Sequence, residues 1–128
     1  MGSFNYKGNN STYHSISDNI PSMKESYTCN NGYFGKIGKS RVADIRQIDC
    51  SDPIRESKKF YDKLANGGIE EILPNGKGVM TSMKDGTVIT YRVITSTEGS
   101  PAVDINIKRS SDTRGIKKQK IHFEKENK

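Results

Sequence analysis

Two dipeptides constrain this chain more than any other feature. Asn75-Gly76 and Asp85-Gly86 are of the kind that closes tight β-hairpins, because Gly, Asn and Asp tolerate the positive φ such turns require. Around and after them lie runs of strand-forming residues at 78–83, 87–94, 102–108 and 118–124, with a polar link over 109–117. Upstream, Ser51-Asp52-Pro53 signals a helix start, an N-cap residue followed by proline at the first turn. Ile54, Phe60, Tyr61, Leu64 and Ala65 then recur at helical spacing, and Asn66-Gly67-Gly68 stops the run. The pattern predicts a helix over 53–66 followed by four strands. The fold class is therefore α+β, with an N-terminal helix or helices packed on a four-stranded antiparallel sheet.

The first fifty residues read differently. They are rich in Asn, Ser, Gly and Tyr and poor in aliphatic residues, and glycines 32, 35 and 38 punctuate a short aromatic patch. We expect 1–50 to be a poorly structured lead or delivery segment and 51–128 to be the functional domain. Hydrophobic residues make up 31% of the 128, below the roughly 45–50% usual for globular chains, so a large core is not expected. No run approaches the ~20 apolar residues of a membrane span, and residues 1–20 hold no apolar stretch of the signal-peptide kind.

Strand alternation sorts the side chains of the second part. Ile89, Tyr91, Val93, Val103, Ile105, Ile107, Ile121 and Phe123 fall on one face, which should pack on Phe60, Tyr61 and Leu64 of the helix. Thr90, Arg92, Asp104, Asn106, Lys108, Lys120 and His122 collect on the other. A wet face on an antiparallel sheet is ordinary. This one, however, gathers an imidazole, a guanidinium, ammonium groups, a carboxylate and a hydroxyl. Histidine moves a proton near neutral pH, and Arg and Lys stabilise a pentacoordinate phosphorane. Those are the parts of a ribonuclease that uses the RNA 2′-OH as nucleophile. Of the two histidines, His14 lies in the Asn/Ser-rich lead and reads as incidental, so His122 is the better acid or base.

Other chemistries lack their signatures. Residues 35–40 superficially suggest a phosphate loop but lack its spacing and follow no hydrophobic strand. There is no GxSxG and no carboxylate cluster suited to two-metal chemistry, so no metal and no cofactor is expected. Cys29 and Cys50 fit either one disulfide or two independent thiols; without His companions they do not make a zinc site. The net charge is +6. Most of it lies at 108–128, where eight Lys/Arg oppose three acids for +5. Such a balance points to an acidic partner, nucleic acid first. The run Lys117-Lys118-Gln119-Lys120 sits beside the polar face, where it can meet phosphates.

Several segments carry a family resemblance. They are Ser51-Asp52-Pro53, Phe60-Tyr61-Asp62-Lys63-Leu64, Asn75-Gly76-Lys77-Gly78-Val79, Asp85-Gly86-Thr87 through Tyr91-Arg92, Gly99-Ser100-Pro101-Ala102-Val103-Asp104-Ile105 and Gln119-Lys120-Ile121-His122-Phe123. Together they resemble the C-terminal toxin modules of bacterial polymorphic and contact-dependent growth inhibition systems. Such modules look like the barnase/EndoU/colicin/RelE group of ribonucleases, helices followed by a four-stranded antiparallel sheet whose concave face bears the site. The resemblance covers a little over half of the chain. It implies a metal-independent endoribonuclease, often one that cuts tRNA, carried as the C-terminal part of a larger secreted or cell-surface protein and acting in the target cell's cytoplasm. It also implies an acidic immunity protein that blocks the site, and leaves a target-cell translation factor as an open further partner. Carried over by position, the catalytic set is Arg92, Ser96, Asp104, Lys120 and His122, with Thr95 and Thr97 flanking Ser96 and leaving the hydroxyl's register open. Lys77, Lys108, Lys117 and Lys118 complete the expected RNA contacts. The competing readings are a non-catalytic basic RNA- or DNA-binding module and a protein-interaction domain whose polar face is merely wet.

Overall fold

The computed structural model describes residues 5–6, 13–93, 100–108 and 112–126. Along the chain run β1 (Asn5–Tyr6), α1 (Ile16–Ser26), β2 (Cys29–Asn30), β3 (Tyr33–Phe34), β4 (Lys36–Ile37), β5 (Ile45–Cys50) and α2 (Pro53–Leu64). Then come β6 (Ile69–Ile72), a 3-10 turn (Pro74–Gly76), β7 (Val79–Ser82), β8 (Val88–Arg92), β9 (Ala102–Asn106) and β10 (Gln119–Lys125).

α2 forms for the reasons its sequence announces. The Asp52 carboxylate accepts the Arg55 N–H at 3.2 Å, and Pro53 occupies the first turn, where its missing N–H costs nothing. The helix ends at Leu64, two residues short of the expected 66, with Gly67 in the left-handed region at φ 81°. Ser57, Phe60, Tyr61 and Leu64 are its buried face. Phe60 meets Phe34 and Phe123 edge-to-face, with ring centroids 5.3 and 5.4 Å away. Such pairs add about 0.5–1.5 kcal/mol each beyond the area they bury.

The sheet corrects the expected architecture. β7, β8, β9 and β10 are present and pair antiparallel in that order, but they are only the middle of a larger mixed sheet. Its order is β1-β6-β7-β8-β9-β10-β5-β4, and β2 and β3 make a separate two-stranded ribbon. β5 runs parallel to β10, with Lys120 beside Ile45 and Phe123 beside Ile48. The outer strands escape a local reading for a physical reason. β6 reads Ile-Glu-Glu-Ile, which lacks the two-residue alternation of a half-buried strand. β5 reads Ile-Arg-Gln-Ile-Asp-Cys, and its partner lies some 75 residues downstream, beyond any turn signal.

Residues 13–50, set apart above as a lead, contain α1 and β5, and both join the same core as the rest. Ile16, Ile20 and Met23 of α1 are fully buried with Phe60, Leu64, Ile105 and Phe123. The Asn19 side chain donates at 2.7 Å to the carbonyls of Leu64 and Asn66, satisfying the C-terminal end of α2. His14 is structural too: its Nδ1 lies 3.0 Å from Asn19 Oδ1 and its backbone N–H donates to Gly67 O. A Cβ on Gly67 would fall 2.3 Å from the His14 ring. Pro21 interrupts α1 and removes the donor that would normally reach Ser17 O. Arg114 Nε donates to that freed carbonyl at 2.9 Å. Among the described residues, no helix is long and apolar enough to cross a membrane.

Candidate functional site

Both helices lie on one face of the sheet. α2 packs on β5, β8, β9 and β10, and α1 packs on α2. Ile89, Tyr91, Val103, Ile105, Ile121 and Phe123 are buried beneath them, as alternation predicts, whereas Val93, expected with them, is exposed beyond the end of β8. Arg92, Asp104, Lys120 and His122 consequently share the opposite face. In register, Arg92 pairs with Ala102 and Ala102 with His122. In the adjacent row Thr90 pairs with Asp104 and Asp104 with Lys120. Strand spacing puts the Arg92 and His122 backbones about 10 Å apart, and the two rows about 7 Å apart. One nucleotide of an RNA chain spans a patch of that size.

His122 departs from the expectation of a solvated residue: it is 5% exposed. Its Nδ1 lies 3.2 Å from Ser100 Oγ, and Ser100 is itself buried. A buried imidazole fixed by a hydroxyl has a defined ring orientation, which acid–base chemistry needs. Ser100 lies just before β9 and received no role from the sequence. The sequence shows only that Ser100-Pro101 precedes a strand; the meeting with His122 depends on the β9–β10 register. Arg92, Asp104 and Lys120 are half-buried, so they are partly shielded yet reachable. Ser96, with Thr95 and Thr97, lies outside the described residues.

The expected RNA-contacting lysines do not form one group with this patch. Lys77 follows the Pro74–Gly76 turn, and the adjoining Gly78 lies against the Arg92 backbone, so Lys77 is near the Arg92 end of the sheet. Lys108 follows β9 and Lys118 precedes β10, at the far ends of those strands. Lys118 is four positions from His122, about 13 Å along an extended strand. Lys117 is turned elsewhere, its Nζ 5.3 Å from the centroid of the Tyr33 ring. At the β4–β5 edge of the patch, Lys36 Nζ binds Asp49 Oδ2 at 2.6 Å. That bond, with a second from Gln47, holds the Asp49 carboxyl below its ordinary range.

Cys29 and Cys50 are free thiols. Burial, the Glu56 carboxylate and further nearby acids push the Cys50 thiol up from 9.0 to about 11, against a backbone hydrogen bond from Asp52. Among the described residues, no group of three or more His, Cys, Asp or Glu converges as metal ligands would. No protein-family model matches the chain, and no curated protein or solved structure matches it.

Proposed function

We propose that this chain is a metal-independent endoribonuclease of the bacterial toxin kind, acting on RNA and most specifically on tRNA, and restrained by an acidic immunity protein. The observation that supports the reading is the convergence of Arg92, Asp104, Lys120 and a buried, Ser100-fixed His122 on the sheet face opposite the helices. In the proposed reaction the 2′-oxygen of a ribose attacks the adjacent phosphorus and gives up its proton to a base. The bond to the 5′-oxygen breaks, and that oxygen takes up a proton. The products are a 2′,3′-cyclic phosphate end and a 5′-hydroxyl end. His122 is assigned one of the two proton transfers, and Arg92 and Lys120 the negative charge of the phosphorane. Asp104, directly opposite Lys120 across the strand pair, is the carboxylate of the patch.

Purified protein incubated with total bacterial RNA in EDTA tests the reading. Cleavage of the tRNA fraction, leaving cyclic phosphate ends, is the expected result. Binding without cleavage would instead identify a nucleic-acid-binding module, and neither would leave a protein-interaction domain.

A further inference from the structure

A second basic locus lies away from the proposed catalytic face. Lys24, Arg46, Arg114 and Lys117, with Asn30 and Tyr33 among the other polar groups, line a cavity of about 820 Å³. Four cations converge there from four places: the last turn of α1, β5, the 114–115 turn and the segment before β10. Among the described residues no carboxylate lines the cavity. Among the described residues none of the four forms an ion pair. Two acids enter the hydrogen bonding of its lining: Asp112 accepts the Arg114 backbone N–H at 3.0 Å and Asp44 accepts the Tyr33 hydroxyl at 3.2 Å. Gathering like charges without a counter-charge costs free energy, so the fold must hold them in place.

It holds them with identifiable contacts. Arg114 is pinned by the Ser17 carbonyl that Pro21 leaves free, and the Arg114 carbonyl in turn accepts Lys24 Nζ at 3.4 Å. Arg46 donates to Ala43 O at 3.3 Å and Gly35 O at 3.0 Å. Arg46 and Lys117 both lie over the Tyr33 ring, 4.8 and 5.3 Å from its centroid. Arg46 Nε is shielded and has no hydrogen-bond partner, an uncommon state for a buried donor. Gly32 O accepts both the Lys117 N–H at 3.1 Å and Gln119 Nε2 at 2.9 Å, which locks the β2–β3 turn onto the segment carrying Lys117. Four cations, none of them in an ion pair among the described residues, make a receptor for a multiply coordinated oxyanion.

We propose that this cavity is a phosphate-binding exosite that grips the RNA backbone outside the cleaved bond, which rests on the reading that the chain acts on RNA. It lies on the helix side of the β5–β10 pair, since Arg46 alternates with Ile45 and Gln47 of the catalytic face. It therefore recognises a part of the RNA that the catalytic patch does not touch, and it sets affinity and choice of RNA without taking part in bond breaking.

The test compares the whole chain with Lys24→Gln/Lys117→Gln, two exposed side chains whose ammonium groups hold no carboxylate. Fluorescence anisotropy with labelled tRNA across a salt series gives the affinity, and cleavage of the same tRNA at saturating and limiting concentrations separates kcat from KM. The double variant should bind roughly threefold or more weakly, with a salt slope shallower by about 1 to 2, and should raise KM with kcat unchanged. Wild-type cleavage with unchanged affinity and salt slope in the variant overturns the exosite and leaves the ribonuclease reading standing. A wild type that neither binds nor cuts RNA overturns both. Titration with inorganic phosphate and with a mononucleotide supplies the remaining arm. If those ligands lose binding in the variant while tRNA does not, the cavity is a small-anion site and the exosite is wrong.

Discussion

At the residue scale, the same type of side chain serves two unrelated ends. His122 and His14 are both held by polar neighbours, but the neighbours differ in kind. His14 belongs to a chain of contacts through Asn19 to the end of α2, whereas His122 stands on a face with Arg92, Asp104 and Lys120. Removing the Asn19 side chain leaves two carbonyls at the α2 terminus without a donor. Asn19→Ala should therefore cost about 1–3 kcal/mol of stability by urea denaturation, with the rate of RNA cleavage by the folded protein unaltered. Cys50 gives a prediction in pH. Its thiol is raised to about 11 in the folded chain, so the unfolded chain releases that proton first. The contribution is fully present below pH 9 and declines as pH rises from 9 toward 11. A Cys50→Ser variant should show a flatter stability curve over that window. Intact Cys50 should also alkylate at pH 8 more slowly than a free cysteine, because the thiolate is the nucleophile; equal rates would contradict the burial assigned to it.

At the element scale, local punctuation made α2 and the β7–β10 meander legible. Asp52-Pro53 and Asp85-Gly86 act over a few residues, and period-two alternation sorts Arg92, Asp104, Lys120 and His122 onto one face without any knowledge of partners. The same reasoning could not reach β5, because its mate was set by packing and not by a turn. In α1, Ile16, Ile20 and Met23 carry the helical spacing, but Pro21 and the Asn/Ser surroundings mask it. Ser100 and the Tyr33 cavity were hidden for a related reason: each depends on which distant segments meet. The β2–β3 turn shows how narrow that tolerance is. Gly32 sits at φ 86°, and a Cβ there would fall 2.3 Å from Gly115 O. Gly32→Ala should destabilise the chain by more than 1 kcal/mol and disorder the Lys117 segment, seen as raised amide exchange at 115–119; unchanged exchange would show that the turn does not anchor the cavity.

At the scale of the whole molecule, one core joins residues from 16 to 123, so the low hydrophobic fraction is reconciled with a single folded unit by sharing that core between both parts of the chain. The helices cover one face of the sheet. The opposite face carries Arg92, Asp104, Lys120 and His122, and a second group of cations lies on the other side of the β5–β10 pair. On the proposed reading, an acidic inhibitor competing with RNA has both to engage. The central claim is that His122 and Arg92 perform chemistry on RNA, and the most direct test is the single-turnover rate of tRNA cleavage in EDTA by His122→Ala and Arg92→Ala, each confirmed folded by circular dichroism. The account predicts that each rate falls by about a hundredfold or more with tRNA affinity largely retained. Folded variants that cut at the wild-type rate would contradict it.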